Sequence, residues 1–345
     1  MKEVIVHPTP ELWTEIHEVP IPEPGPKEVV IKVIVAGSNV KDWLHLTALN
    51  IPLNSGDDIA GTVHALGSEV VKTREFAVGD RVAAFHPMMS PHGAFAEYAV
   101  APYHTVFKIP DETSFEEAAT IPLVITTAGI TLFRRQGLPP PWSPRSSESP
   151  PLPLIVYGAS GALGTFAVKL ARASNIHPII AIAGSSSWHL GPLLDKSKGD
   201  TLVDYRLGAE EMKRLVKENL NVSQMLSPST DTEKSFLSVV SGSNRYDDEG
   251  IPGSVKVVYT YVGTAHSAAY RPGMVKQPTD VEFVKSDPEW TYVFFRYVAK
   301  MLVDGNLTGH PFEVVDGGLQ GVGEGLKMLK AGKAKGFKYV FRVAT

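Results

Sequence analysis

The chain has 345 residues, of which 43% are hydrophobic and 20% are charged, and its net charge at neutral pH is -4. A chain of this length exceeds the size that one hydrophobic core supports, so we expect two lobes, and the near-neutral charge argues against a nucleic-acid partner. The sequence contains no cysteine, which excludes disulfides, thiolate nucleophiles and zinc sites that depend on sulfur.

The first third of the chain reads as short β segments separated by turns. The runs EVVIKVIVAGS, IAGTVHALGSEV, GDRVAAF and GAFAEYAVAP have the spacing and alternation of strands, which predicts a compact, mostly β lobe. Ser114 precedes Glu117 by three residues, a capping-box spacing that predicts the start of a helix. The proline- and serine-rich segment 137–153 predicts a surface connection.

After this connection the pattern changes to strands that alternate with helices. LPLIVY precedes the helical GTFAVKLARAS, HPIIAIAG precedes a helical candidate, and DTLVDY precedes the helical AEEMKRLVKENL. This alternation predicts a parallel sheet with crossover helices. Two further strands are predicted at SFLSVV and VKVVYTYVG, and KGFKYVFRV predicts a closing strand. The acidic run Asp247, Asp248 and Glu249 lies in a polar loop, which we interpret as solvated surface rather than a metal site.

Three glycines mark the turn between the strand LPLIVY and the helix after it. Gly158 permits a tight turn, Gly161 lets the backbone approach a pyrophosphate, and Gly164 lets the helix pack closely on the sheet. An ordinary strand-to-helix turn is the alternative. We predict a dinucleotide site that comprises Gly158, Ala159, Ser160, Gly161, Ala162, Leu163 and Gly164.

The end of the second strand of this region indicates which dinucleotide binds. An NAD site places an acidic side chain there, but this strand ends in Gly184, Ser185, Ser186 and Ser187, which carry no negative charge to repel a 2′-phosphate. NADPH is therefore the predicted cofactor. Tyr205, at the end of the third strand, is a candidate to cover the adenosine phosphate.

The order of these motifs resembles that of the medium-chain dehydrogenase/reductase superfamily. GDDIAGTVHALG, GDRVAAF, GAFAEYAV and YGASGALG occur in sequence, and the chain is most similar to the zinc-free branch of quinone oxidoreductases and fungal trans-acting enoyl reductases. The resemblance implies an α/β fold, with a GroES-like, mostly β lobe and a Rossmann domain built on a doubly wound parallel sheet. It assigns residues 1–123 and 285–345 to the catalytic lobe and residues 124–284 to the NADPH-binding domain.

Zinc-dependent relatives carry a cysteine where this chain has Asn39, and a His-Glu pair where it has Asp57 and Asp58. Asparagine is a poor zinc ligand and the aspartates alone make an incomplete site, so we expect no metal. Without a Lewis acid, the resemblance implies hydride transfer from NADPH to a polarised C=C bond of an enone or enoyl thioester. Quinone reduction and nucleotide binding without turnover are the alternatives.

The resemblance also implies candidate catalytic residues. Lys41 lies in the segment that relatives place near the nicotinamide, and its ammonium is a candidate to stabilise charge on the substrate oxygen or to donate a proton; an exposed loop lysine is the alternative. Thr127 matches a threonine that touches the nicotinamide in relatives, and helix packing is its alternative role. Asn39 is expected to order the same side of the site, next to the nicotinamide.

One strand that the resemblance implies is not recognisable. In the strand order 3-2-1-4-5-6 the fourth strand lies beside the first, yet here AEEMKRLVKENL leads almost directly into NVSQML and the next predicted strand. Either NLNVSQML has an unusual role or the chain is a shortened variant.

Expectations about location and partners follow from the same observations. The N-terminus lacks the features of a signal peptide, and no apolar run reaches the length of a bilayer, so we expect a cytoplasmic protein without a membrane partner. The resemblance makes a polyketide synthase a candidate protein partner, and it leaves both a monomer and a homodimer open.

Overall fold

The computed structural model describes residues 1–226, 235–240, 255–266 and 281–344. These residues form two compact units. Unit 1 contains residues 1–123, 265–266 and 288–344, and unit 2 contains residues 124–226, 235–240, 255–264 and 281–287.

Short strands and helices make up most of the described part of the chain. The strands are β1 (Lys2–His7), β2 (Trp13–Glu18), β3 (Glu28–Gly37), β4 (Asp58–Leu66), β5 (Arg81–Phe85), β6 (Tyr98–Pro102), β7 (Val106–Lys108), β8 (Leu154–Tyr157), β9 (Ile179–Ala183), β10 (Thr201–Asp204), β11 (Ser235–Val239), β12 (Val255–Tyr259), β13 (Phe312–Val315) and β14 (Lys338–Arg342). The helices are α1 (Lys41–Leu49), α2 (Ser68–Thr73), α3 (Phe115–Ala118), α4 (Pro122–Gly129), α5 (Ala162–Ala173), α6 (Ala209–Leu226), α7 (Val281–Val303) and α8 (Val322–Lys330).

Unit 1 is built on a mostly antiparallel sheet with the order β13-β14-β3-β4-β5-β7, to which β6 adds by pairing with β3. Alternating side chains of β3 and β4 enter an apolar core that includes Val29, Ile31 and Ile59. This sheet confirms the mostly β lobe that the sequence predicts. Helix α3 begins as predicted, because the Ser114 hydroxyl accepts a hydrogen bond from the Glu117 N–H at 3.1 Å.

Unit 2 contains the predicted parallel sheet, with the order β10-β9-β8. Helix α5 covers one face through a cluster that includes Val156, Ala181 and Val168. Helix α6 packs on the other face against Ile180 and Ile182. The combination of a parallel sheet with helices on both faces confirms the doubly wound α/β class of this unit.

Strand β8 has an incompletely covered face. Ile155 and Tyr157 are in register with Ile180 and Ile182, yet their exposed fractions are 44% and 71%. Among the described strands, β8 pairs with β9 alone, whereas β11 and β12 form a separate parallel pair. No described strand therefore takes the fourth position beside β8.

The segment NLNVSQML has an ordinary helical role, so the alternative of an unusual role is wrong, whereas the alternative of a shortened variant stays open. Helix α6 continues through it to Leu226, because the sequence offers no glycine or proline that would end the helix earlier. Strands β11 and β12 confirm the strands predicted at SFLSVV and VKVVYTYVG. The acidic run 247–249 lies outside the described residues.

One helical stretch, Phe115–Arg135, is long and apolar enough to cross a membrane by length and composition, in contrast to the expectation from the sequence. Within the protein, 78% of its apolar window is buried. Core helices of globular proteins have the same properties, so this stretch is weak evidence for a membrane span.

Candidate active site

Of the three glycines in the turn after β8, the fold requires two and does not require the third. Gly158 has a φ of +76°, which other residues adopt only with strain. A Cβ atom on Gly164 would lie 2.4 Å from the Gly158 carbonyl oxygen, so close packing of α5 requires glycine there. A Cβ on Gly161 would meet only the Gly158 oxygen, at an ordinary 3.5 Å, and its φ of −75° suits any residue. The fold itself therefore does not require glycine at position 161.

Gly161 is also the N-cap of α5, since its carbonyl accepts a hydrogen bond from Thr165 N–H at 2.8 Å. The first-turn N–H groups of a helix have no intrahelical acceptor, and they carry the positive end of the helix dipole. Ala162, Leu163 and Gly164 supply such groups here, beside the turn residues Ala159 and Ser160. This arrangement is suited to an anionic diphosphate.

The predicted residues at the end of β9 lie beside this turn. The Ser186 hydroxyl donates a hydrogen bond to the Ser160 hydroxyl at 3.3 Å. A Cβ on Gly184 would lie 2.8 Å from the Tyr205 ring, so the ring covers the backbone of Gly184. Ser185 is exposed and Ser187 is half-buried. The structure thus brings together the predicted cofactor residues of the carboxyl ends of β8, β9 and β10.

The acidic side chain at the end of β10, Asp204, is already paired. Arg206 Nε lies 2.9 Å and 3.0 Å from the two carboxylate oxygens of Asp204 at the end of β10. The Arg206 hydrogen bonds lower the pKa of Asp204 to about 2. The carboxylate and the guanidinium therefore neutralise each other, and Arg206 is not a free cation beside Tyr205.

The ammonium of Lys41 occupies a buried position in unit 1, not the exposed loop that was its alternative. Lys41 is the first residue of α1, and its side chain is only 10% exposed. Its Nζ donates to the Ser55 carbonyl at 2.5 Å, lies 3.1 Å from Asp42 Oδ1 and forms an ion pair with Asp57. An ammonium has three N–H donors, so these three oxygens match its full capacity.

Burial dominates the electrostatics of this cluster, which consists of Lys41, Asp42 and Asp57. Burial raises the pKa of Asp57 to about 8 and that of Asp42 to about 6, although the Lys41 ammonium opposes both changes. Burial also tends to lower the pKa of Lys41, but the two carboxylates raise it above its usual value. Two buried carboxylates that share one ammonium therefore take up a proton more readily than carboxylates in water do.

A second buried ion pair lies beside the first and was not found from the sequence. Lys338, on β14, pairs with the Asp58 carboxylate, and its Nζ also lies 3.2 Å from Asn39 Oδ1. Asn39 Nδ2 donates to Asp58 Oδ2 at 2.9 Å. The side-chain amide of Asn39 is thus used within unit 1, and its predicted contact with the cofactor stays a prediction.

Asp57 and Asp58, the positions of the zinc ligands in relatives, each pair with a lysine. An ammonium beside each carboxylate opposes the binding of a second cation there. Within the described ranges, no group of three or more histidine, cysteine or acidic side chains is arranged to hold a metal ion. The donor set therefore does not fit a zinc ion.

Asp58 also accepts a hydrogen bond from Leu123, within unit 1. Its Oδ1 accepts a hydrogen bond from the Leu123 N–H at 2.7 Å, in the first turn of α4. Thr127 lies further along α4 and is buried. Its assignment to the nicotinamide stays a prediction.

Two further polar side chains of unit 1, His86 and Tyr292, have structural roles. His86 is buried, with its ring nitrogens 2.6 Å from the Val100 oxygen and 3.2 Å from the Ser90 oxygen. Tyr292 donates a hydrogen bond to Glu75 at 2.5 Å, in a surface cleft of about 520 Å³ that lies within unit 1.

Comparison with known proteins identifies the family. The family model described as the alcohol dehydrogenase GroES-like domain matches residues 25–111. The trans-enoyl reductase fsr4 of Gibberella fujikuroi is 37% identical over 338 residues, covering 93% of this chain and 92% of that protein.

Two solved structures have the same fold. The quinone oxidoreductase from Coxiella burnetii has a TM-score of 0.63 at 17% identity and covers 100% of both chains. The mycobacterial protein Rv1454c, solved with NADPH, has a TM-score of 0.67 at 19% identity and covers 99% of both chains.

A GroES-like β unit joined to a parallel-stranded unit with a glycine turn defines the medium-chain dehydrogenase/reductase class. The chain belongs to this superfamily and, within it, to the family of the fungal trans-enoyl reductases. It is therefore an oxidoreductase of the enoyl-reductase type.

Proposed function

We propose that the protein is a zinc-independent, NADPH-dependent reductase of polarised C=C bonds in enones or enoyl thioesters. The observation that carries the proposal is the glycine at position 161, which the fold does not need and a close-lying diphosphate does. The 37% identity to a trans-enoyl reductase supports the same reaction class.

The residues of the turn fit the cofactor. The backbone from Gly158 to Gly164 would hold the diphosphate, and Gly184 to Ser187 with Tyr205 would hold the adenosine end. Ser185, Ser186 and Ser187 present hydroxyls and no carboxylate, which favours NADPH over NADH. When bound, this cofactor supplies the hydride of the reduction.

In this proposal Lys41 stabilises the negative charge that develops on the substrate or donates the proton that the reduction requires. Hydride addition to the β carbon of an enoyl thioester leaves negative charge on the carbonyl oxygen, and an ammonium nearby stabilises that charge. A proton must then reach the α carbon. Asp57, whose pKa burial raises, lies next to Lys41 Nζ and is placed to exchange a proton with it. We assign Lys41 to charge stabilisation or proton donation and Asp57 to its support.

Location and partners belong to the proposal as well. We propose a cytoplasmic enzyme that acts on small molecules or on intermediates carried by a polyketide synthase. Fungal relatives named trans-enoyl reductases support an enoyl substrate. Thr127 and Asn39 are proposed to contact the nicotinamide or to order its surroundings.

The test is a turnover assay with purified protein. NADPH oxidation is followed with a crotonyl thioester, cyclohexenone and a benzoquinone, and each is repeated with NADH. The proposal expects turnover of the thioester or enone with NADPH, and loss of turnover in Lys41→Met with NADPH affinity retained. Turnover of the quinone alone assigns the protein to quinone reduction. NADPH binding without turnover of any of these substrates assigns it to the non-catalytic alternative.

A further inference from the structure

A cavity lies in unit 2, at the end of its sheet opposite to the glycine turn. The cavity has a volume of about 160 Å³ and is lined by Arg145, Ser146, Ser147, Ser149, Pro151, Asn175, His177 and Lys198. Asn175 and His177 precede β9, and Lys198 precedes β10, so the cavity lies at the amino ends of these strands. The glycine turn lies at the carboxyl end of β8, and a strand of four residues separates the two ends by about 13 Å.

Two cations line the cavity, and the carboxylates of Asp195 and Asp200 lie near Lys198 and His177 respectively, outside the lining. Arg145 and Lys198 are permanent cations, and the lining residues include no carboxylate. Neither cation forms an ion pair within the described part of the chain. Their hydrogen bonds go to neutral groups: Arg145 Nη2 donates to the Pro150 carbonyl, and Lys198 Nζ donates to Asn175 Oδ1 at 2.9 Å.

The backbone fixes these cations at the cavity. Arg145 N–H donates to the Ser174 carbonyl at 3.1 Å, and the Arg145 carbonyl accepts from Asn175 Nδ2 at 3.0 Å. The same Asn175 side chain therefore joins the loop of Arg145 to Lys198. The proline- and serine-rich segment is thus attached to the sheet where its serine hydroxyls line the cavity.

His177 contributes a buried nitrogen that has no partner. Its side chain is 9% exposed, and Nδ1 lies 2.7 Å from Asp200 Oδ1. The Asp200 carboxylate is itself held by the N–H groups of Ile179 and Asp195, at 2.7 Å and 2.9 Å, so the orientation of the ring is fixed. His177 Nε2 has no hydrogen-bonding partner within the described residues, and leaving such a buried group unpaired is unfavourable.

We propose that this cavity binds a phosphate group, either as inorganic phosphate or as the monoester of a small metabolite. Arg145 and Lys198 supply the positive charge, and the hydroxyls of Ser146, Ser147 and Ser149 supply neutral donors. His177 also lines the cavity, and its Nε2 is the buried nitrogen without a partner within the described residues. The site is separate from the proposed cofactor site, because it lies at the other end of the parallel sheet.

The test measures phosphate binding by isothermal titration calorimetry, with sodium chloride at matched ionic strength as the reference. The ligands are inorganic phosphate and glycerol phosphate, which distinguish free phosphate from a monoester. Arg145→Gln and Lys198→Gln each remove one cation, and we expect each to weaken binding by about tenfold or more. Lys196→Gln is the matched control, because Lys196 is exposed and outside the cavity.

Two further measurements make the result unambiguous. A melting curve of each variant in chloride verifies folding, and Lys198→Gln remains informative if Arg145→Gln loses its loop contact with Pro150. Gly161→Ala reports on phosphate that binds at the glycine turn instead. The proposal is overturned if phosphate does not bind, if both cation variants bind it as the wild type does, or if Gly161→Ala alone abolishes binding.

Discussion

The substitution of Gly161 by alanine separates the demands of the fold from those of the cofactor. In the structure, the added Cβ meets only the Gly158 oxygen at 3.5 Å. The restricted unfolded chain favours the variant by about 0.4–1 kcal/mol, and the poorer N-cap residue costs a similar amount. We therefore expect an almost unchanged free energy of unfolding.

The same methyl group occupies the space through which a diphosphate approaches the backbone. If it displaces one charge-assisted hydrogen bond of about 1.5–3 kcal/mol, the NADPH dissociation constant rises about 10- to 150-fold. The assay is a fluorescence titration with NADPH, accompanied by chemical denaturation of the same samples.

Gly164→Ala is the matched control for this experiment. Its Cβ would lie 2.4 Å from the Gly158 oxygen and 2.6 Å from the Ala159 Cα, so it strains the packing of α5 and costs about 1–3 kcal/mol of stability or more. The reasoning predicts opposite outcomes: Gly161→Ala is stable and binds poorly, whereas Gly164→Ala is unstable. An unchanged NADPH dissociation constant in Gly161→Ala would refute the assignment of the turn.

Further predictions concern the cofactor choice, the buried lysine and the pH dependence. Ser186→Asp places a carboxylate at the end of β9, so NADPH affinity should fall by about tenfold or more relative to NADH in parallel titrations. Lys41→Met leaves two buried carboxylates without their cation, so it should lower the free energy of unfolding by about 3–5 kcal/mol. The double variant Lys41→Met/Asp57→Asn removes one of these carboxylates. Chemical denaturation should therefore show that stability is recovered, whereas turnover should stay lost. Burial lowers the pKa of His86 from 6.5 to about 4. Unit 1 should therefore lose stability as the pH falls from 6.5 towards 4. Melting curves of His86→Gln over this pH range should show a smaller loss of stability.

Local patterns were sufficient to predict most elements of the fold. Alternation identified the strands of the β lobe, and the Ser114 cap identified the start of α3. The end of α6 was not predictable in this way, because NLNVSQML contains no residue that must stop a helix. The sequence predicted that a strand beside β8 is missing, but it did not predict which side chains of β8 are exposed. The exposure of Ile155 and Tyr157 depends on residues distant in sequence.

The glycine turn was predictable because its residues are contiguous, whereas the buried ion pairs were not. Lys338 begins the strand KYVFR, where a lysine usually indicates an exposed strand end. Its partner Asp58 lies 280 residues earlier, and no local pattern connects the two. Lys41 and Asp57 were each noticed, but their pairing required the fold that brings α1 to the start of β4.

The one-sided pairing of β8 has a consequence for hydrogen exchange. The N–H groups of Leu154 and Gly158 donate to the Pro178 and Ile182 carbonyls at 2.9 Å and 3.0 Å, towards β9. In a parallel strand the intervening amides point the other way, where no described strand accepts them. Deuterium should therefore enter at Ile155 and Tyr157 faster than at their neighbours, so the strand that leads into the glycine turn has alternating labile and protected amides.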